Sequence, residues 1–174
     1  ANLVVGGTGK RIAVCGGAPL APDIGRFFLG LGVPLIQGYG LTEASPVVSV
    51  NTPQDNIPDS VGLPLPQVEV RIGDQNELLT RSPSVMLGYW EQPAATARLI
   101  DPDGWLHTGD QVRMERGHIF ITGRLKDVIV LANGEKVPPS DMEMTIALDE
   151  LFSQVLIIGE GRPYLAALVV LEPT

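Results

Sequence analysis

The chain has 174 residues, 44% of them hydrophobic and 18% charged, and a formal net charge of −8. This length and apolar content suit one domain, or a domain with a small second one, and argue against a disordered chain, while the negative charge argues against nonspecific binding to nucleic acid. One cysteine excludes an internal disulfide, and no apolar run approaches the ~20 residues that span a bilayer, so we expect a cytoplasmic protein.

The first part of the chain has the pattern of a parallel strand–helix–strand unit. After a turn over 6–10, an apolar run at 11–15 predicts a buried strand that ends at paired glycines. Apolar residues at helical spacing predict a helix over 22–31, and 33–37 has the composition of a second buried strand. Ligands in such sheets bind beyond the carboxyl ends of the strands. The residues at these ends are Gly16, Gly17, Ala18, Tyr39 and Gly40.

The middle of the chain, from Ser60 to Thr122, predicts a mostly antiparallel sheet or partial barrel. Residues alternate between apolar and polar at 68–72 and in part of 77–81, which is typical of half-buried strands. A short helix is expected to begin at Pro93. Further short strands are predicted at 105–106, 111–114 and 118–122.

The last part of the chain changes in character after Gly123, and we expect a domain boundary near 124–127. A hairpin with an Asn-Gly turn is predicted between 128–131 and 136–137. Ser140 and Glu143 have the spacing of a capping box at the start of a helix that runs to about Leu148. Apolar strands are predicted at 155–158 and 165–171.

The stretch Gln37–Glu43 combines residue types suited to a nucleotide. Tyr39 offers an aromatic ring for a purine, Thr42 a hydroxyl for phosphate, and Glu43 a hard oxygen ligand for Mg²⁺. The structural alternatives are a tyrosine packed at a strand end and a threonine that caps a helix. Two further segments, Thr108-Gly109-Asp110 and Gly123–Asp127, follow in the same order along the chain.

These segments, with Gly16–Leu20 and Gly134–Pro139, resemble the motifs of the adenylate-forming superfamily and, within it, of acyl-CoA synthetases. The resemblance implies that Gly16, Gly17 and Ala18 line the adenine pocket with backbone and that Tyr39 and Gly40 lie against adenine. It also implies that Thr42 binds phosphate and that Glu43 holds Mg²⁺.

The later motifs imply further roles. Asp110 would accept hydrogen bonds from the ribose diol, and Arg124 would contact ribose or phosphate. Lys126 occupies the hinge position about which the family rotates its small domain. Gly134 falls where the family brings the pantetheine of coenzyme A close to backbone. The structural alternatives are a surface turn at Thr108-Gly109-Asp110, a charged surface turn at 124–127 and a plain hairpin turn at Gly134.

The fold implied is α/β: the end of a parallel-sheet subdomain, a mostly antiparallel partial barrel, and half of a small α+β domain. Residues 1–123 would be the later part of the large N-terminal domain, and 124–174 the hinge and the first half of the small C-terminal domain. The family's phosphate loop and adenylation lysine have no counterpart in the chain. We therefore expect an internal fragment that is itself inactive.

The function implied for the parent protein is activation of a carboxylic acid, through acyl-AMP, to a coenzyme A thioester with ATP and Mg²⁺. Gly134–Pro139 resembles bacterial fatty-acyl-CoA synthetases, which favours a long-chain acid. The alternatives are the same fold loading a carrier-protein thiol, or a non-catalytic nucleotide-binding or interaction module. No nucleic-acid partner is expected, and peripheral membrane association and oligomeric state are left open.

Neither histidine nor the cysteine is expected to take part in chemistry. His107 and His118 have no Cys or Glu partners at metal-ligand spacing, so neither is predicted to be a zinc ligand or a general base. Cys15 lies inside an apolar strand and is predicted to be inert packing.

Overall fold

The computed structural model describes residues 4–6, 12–18 and 20–172. The chain divides into two compact units: the first consists of 1–108 and 112–121, and the second of 109–111 and 122–174. The turn predicted over 6–10 lies, except for Gly6, outside the described residues, as do Arg11 and Pro19 of two predicted segments.

The described residues form short strands and three α-helices. The strands are β1 (Val4–Gly6), β2 (Ile12–Cys15), β3 (Leu35–Gly40), β4 (Val47–Val50), β5 (Leu63–Pro64), β6 (Glu69–Ile72), β7 (Glu77–Arg81), β8 (Leu106–Glu115), β9 (His118–Arg124), β10 (Ile129–Val130), β11 (Lys136–Val137), β12 (Phe152–Ile158) and β13 (Ala166–Leu171). The α-helices are α1 (Pro22–Gly30), α2 (Pro93–Leu99) and α3 (Ser140–Ile146), and two 3₁₀-helices span Thr42–Ala44 and Asp74–Asn76. None of the helices in the described ranges is long and apolar enough to span a bilayer.

The first sheet has the strand order β1-β2-β3-β4-β5 and confirms the predicted crossover. Strands β2 and β3 are parallel, with α1 between them along the chain. The pairs β1–β2, β3–β4 and β4–β5 are antiparallel, so the sheet is mixed. Strand β4, with the sequence Val-Val-Ser-Val, was not predicted, because such a short apolar run carries no periodicity that identifies a strand.

The second sheet has the strand order β6-β7-β8-β9, and its strands β6 and β7 pair antiparallel as predicted. One correction concerns β8, a single strand over 106–115 where two short strands were predicted. Gly109 adopts a φ of 72° inside this strand, a value that costs glycine little. Thr108-Gly109-Asp110 is therefore part of a strand and not a surface turn.

Apolar clusters hold the first unit together. Cys15 is 3% exposed and packs with Ala13 and Leu35, as its predicted inert role requires. Two further clusters contain Leu106 and Leu78, both of which are fully buried. Removal of their apolar surface from water stabilises the fold. These clusters place a packed core beneath the strands that carry the candidate site residues of this unit.

The second unit contains the predicted hairpin β10–β11, the helix α3 and the antiparallel pair β12–β13. The predicted capping box is wrong. Pro139 is the N-cap of α3, and no side chain caps it. The Glu143 carboxylate instead accepts a hydrogen bond from the Ile157 backbone N–H at 2.8 Å, so Glu143 ties α3 to β12. Helix α3 ends at Ile146, two residues before the predicted end at Leu148.

Candidate functional site

The carboxyl end of β3 lies beside the exit of β2, as the parallel pairing predicts. Cys15 pairs with Gln37, so the chain leaves β2 at Gly16 next to Gly38. A Cβ added to Gly16 would lie 3.4 Å from the Gly38 carbonyl oxygen. The segment Gly16-Gly17-Ala18 and the residues after Gln37 are thus brought to the same edge of the sheet.

Tyr39 and Gly40 form the end of β3, where a register irregularity separates them. Tyr39 is half-buried, and its ring packs against the clusters centred on Leu106 and Leu78. Gly40 is required by close packing, since an added Cβ would lie 1.8 Å from the Pro46 carbonyl oxygen. The structure therefore shows packing at a strand end for Tyr39, and its stacking on adenine stays a prediction.

Glu43 lies in the 3₁₀-helix that follows β3 and is anchored by two contacts from one loop. Its backbone carbonyl accepts a hydrogen bond from the Met86 N–H at 2.8 Å. Its Oε1 accepts a hydrogen bond from the Tyr89 hydroxyl at 2.6 Å. Thr42 is exposed and is the first residue of the 3₁₀-helix, with Leu41 as the N-cap, so the capping alternative for Thr42 is wrong.

Tyr89 is a residue that the sequence reasoning missed. The hydrogen bond to Glu43, together with partial burial and the carboxylate charge, raises the pKa of Tyr89 above its ordinary value. The contact joins residues 46 positions apart, and nothing in the local pattern around Gly88-Tyr89 points to such a partner. Only the fold brings the phenol to the carboxylate.

Asp110 and Arg124, both in the second unit, are brought together as an ion pair. The Arg124 Nε donates to Asp110 Oδ1 at 2.9 Å, and the Asp110 side chain is 7% exposed while that of Arg124 is 69% exposed. The Leu125 N–H donates to the Gly109 carbonyl at 2.9 Å beside this pair. The buried Asp110 carboxylate is thus paired with the Arg124 guanidinium, which remains largely accessible to solvent.

Lys126 and Gly134 lie in exposed turns of the second unit. The turn that contains Lys126 is closed by a hydrogen bond from the Asp127 N–H to the Arg124 carbonyl at 3.1 Å. Gly134 has a φ of 82°, and an added Cβ would meet no atom within 4 Å. The turn at Gly134 is that of the predicted hairpin, and the hinge and pantetheine roles stay predictions.

Both histidines lie between polar partners within the first unit. The His107 Nδ1 is 2.8 Å from Glu77 Oε2, and its Nε2 is 3.2 Å from Asp101 Oδ1. Partial burial lowers the pKa of His107, but the hydrogen bonds with these carboxylates raise it by more, and the net direction is upward. His118 is buried, with Nδ1 2.9 Å from the Ser60 hydroxyl. Ser60 is itself fully buried, so this pair offers no accessible nucleophile.

The candidate metal ligand among the described residues is Glu43. No group of three or more His, Cys, Asp or Glu in the described ranges could hold an ion. Glu43 uses Oε1 for Tyr89, and among the described residues its Oε2 makes no hydrogen bond or ion pair. One half-buried carboxylate with a free oxygen fits Mg²⁺, which binds one or two carboxylates and completes its shell with phosphates and water.

Two pairs of candidate residues are therefore in contact, Glu43 with Tyr89 and Asp110 with Arg124. Each pair lies within a single unit. That Tyr39 and Asp110 hold one nucleotide stays a prediction, because they belong to different units.

Comparison with known proteins gives two consecutive family matches and many relatives. Residues 7–90 match the family of AMP-binding enzymes, and residues 126–174 match the C-terminal domain of AMP-binding enzymes. The chain is 40% identical over 164 residues to the long-chain-fatty-acid–CoA ligase FadD15 of Mycobacterium bovis, covering 94% of this chain and 27% of the relative.

Two other matches bear on the thiol acceptor and the nucleotide. The chain is 33% identical over 183 residues to the chloroplastic long-chain-fatty-acid–[acyl-carrier-protein] ligase AEE15 of Arabidopsis thaliana, covering 92% of this chain and 25% of the relative. A crystal structure of the ATP-bound RpMatB-BxBclM chimera B1 matches with a TM-score of 0.79 and 29% identity, covering 91% of this chain and 35% of the chimera. The chain thus spans about a quarter of the length of these curated relatives.

Proposed function

Because the chain belongs to the family of AMP-binding, adenylate-forming enzymes, we propose that the whole protein activates a long-chain fatty acid with ATP and transfers it to coenzyme A. The observation that carries the proposal is the segment Tyr39–Glu43, which lies at the carboxyl end of β3 beside the exit of β2. Nucleotide sites in open α/β sheets lie at such ends. The 40% identity to a fatty-acid–CoA ligase supports the choice of acid.

The reaction proceeds in two displacements. The carboxylate of the acid attacks the α-phosphorus of ATP, pyrophosphate leaves, and acyl-AMP forms. The thiol of coenzyme A then attacks the acyl carbonyl, the thioester forms, and AMP leaves. Neither step needs a protein nucleophile, so the contribution of the chain is positioning and electrostatic stabilisation.

The residues of the first unit would bind the base and the phosphates. The backbone of Gly16-Gly17-Ala18 would line the adenine pocket, and Tyr39, with Gly40, would lie against the base. Thr42, exposed at the start of the 3₁₀-helix, would donate to a phosphate oxygen. Glu43 would hold Mg²⁺, which would supply positive charge against the phosphates.

The residues of the second unit would bind the ribose and serve the second step. Asp110 would accept hydrogen bonds from the ribose hydroxyls, and Arg124, which donates to the Asp110 carboxylate, would offer its outer guanidinium face to ribose or phosphate. Lys126 would act as the hinge between the half-reactions, and Gly134 would let the pantetheine of coenzyme A approach backbone. The division of the chain at Arg124 and a cytoplasmic location are part of the same proposal.

The nucleotide site is tested by calorimetric titration of AMP into the 174-residue chain. Tyr39→Leu keeps the apolar packing but removes the ring, and loss of a stacking contact worth ~1–3 kcal/mol weakens binding by about 5- to 150-fold. Asp110→Asn is expected to weaken it further. Tyr164→Leu, at a tyrosine that is 61% exposed, is the control and leaves binding unchanged. Equal AMP affinity in all variants would refute the site.

A carrier-protein thiol is the second candidate acceptor, favoured by the 33% identity to an acyl-carrier-protein ligase. The full-length enzyme, given acyl-AMP with either coenzyme A or acyl carrier protein, distinguishes the two. Thioester formed on coenzyme A alone supports the main proposal, and thioester formed on the carrier protein alone replaces it.

A further inference from the structure

The loop before α2 holds Glu43 at two points, one on its backbone and one on its side chain. The Met86 N–H donates to the Glu43 carbonyl at 2.8 Å, and the Tyr89 hydroxyl donates to Glu43 Oε1 at 2.6 Å. The second bond is short for an O–H···O contact, as expected when the acceptor is a carboxylate. The loop therefore controls both the position of the residue and the direction of its carboxylate.

Tyr89 is itself fixed in place by α2. Its backbone N–H donates to Thr96 Oγ1 at 2.9 Å, and that hydroxyl donates to the Gln92 carbonyl at 3.1 Å. Gly88, with a φ of 145°, passes so close to Thr96 that an added Cβ would lie 2.8 Å from its Cγ2. The backbone of Tyr89 is thus held by a loop that is tied to α2.

The Tyr89 side chain is less exposed than those of its neighbours Leu87 and Trp90 in this loop. Leu87 is 104% exposed and Trp90 is 87% exposed, whereas Tyr89, at 40%, turns its hydroxyl to Glu43. A tyrosine that served only to cover apolar surface would leave its hydroxyl in water. Here the hydroxyl donates a hydrogen bond to one oxygen of the Glu43 carboxylate, and the other oxygen remains available to a ligand.

We propose that Tyr89 is a positioning residue for the divalent cation, because its hydroxyl holds Glu43 Oε1 so that Oε2 faces the metal of the nucleotide complex. The inference rests on the role proposed above for Glu43. Groups that hydrogen-bond a ligating carboxylate orient it, and their loss costs typically 10–100-fold in metal affinity. Tyr89 does not itself touch the metal or the nucleotide.

The first test measures Mn²⁺ binding to the 174-residue chain in the presence of ATP by electron paramagnetic resonance. Tyr89→Phe removes only the hydroxyl and is expected to weaken Mn²⁺ binding by about 10- to 100-fold. Tyr164→Phe, at an exposed tyrosine of the second unit, is the matched control and keeps the affinity of the unsubstituted chain. Metal-free binding of AMP is expected to be equal in all three proteins.

Glu43→Gln separates this inference from the proposal on which it rests. Unchanged Mn²⁺ affinity in Glu43→Gln, or no Mn²⁺ binding by the unsubstituted chain, overturns the role of Glu43 and the inference with it. Weakened binding in Glu43→Gln with unchanged binding in Tyr89→Phe overturns the inference alone.

A second readout needs no metal. The absorbance of the three tyrosines is titrated with pH, and the difference between the unsubstituted chain and Tyr89→Phe isolates the Tyr89 phenol. In the Glu43→Gln background the same difference is expected to move to lower pH, because the carboxylate that raises the pKa has been neutralised. A Tyr89 titration that is the same in both backgrounds would show that the two side chains do not interact in solution.

Discussion

Substitution of Gly40 by alanine is the sharpest test of how the Tyr39–Glu43 segment is built. An added Cβ would lie 1.8 Å from the Pro46 carbonyl oxygen, and because Cβ atoms keep at least 3.0 Å from such atoms, the carbonyl must move by about 1.2 Å. That carbonyl accepts the hydrogen bond from the Leu41 N–H at 2.8 Å, immediately before the 3₁₀-helix that carries Glu43. The displacement breaks this bond and the Gly40–Val47 pairing of β3 with β4.

The cost follows from the groups that lose their partners. A hydrogen bond broken so that its donor and acceptor are left unsatisfied costs about 1–3 kcal/mol, and backbone strain adds to it, so we expect a loss of about 2–4 kcal/mol. With a urea m-value of about 2 kcal/mol/M, the midpoint falls by about 1–2 M. The assay is tryptophan fluorescence, since both tryptophans, Trp90 and Trp105, lie in the first unit and report its unfolding.

Gly30→Ala is the matched control because it makes the same chemical change in the same unit. Gly30 is the last residue of α1, and an added Cβ would meet no atom within 4 Å. Alanine favours a helix over glycine by up to about 1 kcal/mol, so the midpoint is expected to stay or to rise. A Gly40→Ala protein that unfolds within about 0.3 M of the unsubstituted chain would refute the close packing at Gly40.

Three further predictions address the core, the ion pair and the histidine. Leu106→Ala empties a fully buried site and is expected to lower the free energy of unfolding by about 2–5 kcal/mol; a loss below about 1 kcal/mol in urea unfolding would contradict the core assignment. Arg124→Ala leaves the buried Asp110 carboxylate without its cation, so it is expected to lower stability by about 1–3 kcal/mol in thermal melting and to weaken calorimetric AMP binding; unchanged binding would remove Arg124 from the site. The pKa of His107 is raised in the folded state, so its stabilising effect is fully present below the unfolded value of ~6.5 and is lost as the pH rises through the folded value. His107→Gln should flatten this part of the pH profile of the urea midpoint, and parallel profiles for both proteins would contradict the prediction.

Local patterns predicted the elements that depend on neighbouring residues. The helix α2 begins at Pro93 as predicted, because proline suits the first position of a helix. The strand β7 lies at the predicted segment, but its first four residues are all buried, so the half-buried alternation expected there is wrong. The parallel pairing of β2 with β3 followed from the short helix between them. Tertiary packing overrode the local signal elsewhere: β8 continues through the Thr-Gly-Asp turn signal, and Glu143 bonds to β12 in place of its helix cap.

The sequence alone determined which polar segments occur, their order and the residue types in them. It also indicated what each could bind, because the chemistry of a ring, a hydroxyl or a carboxylate does not depend on the fold. Only the tertiary structure determined which residues each of these groups contacts. Glu43 is held by a phenol 46 positions away, and the buried Asp110 pairs with Arg124, fourteen positions further along the chain. Such contacts depend on how strands and loops pack across the molecule, and no periodicity within a segment encodes them.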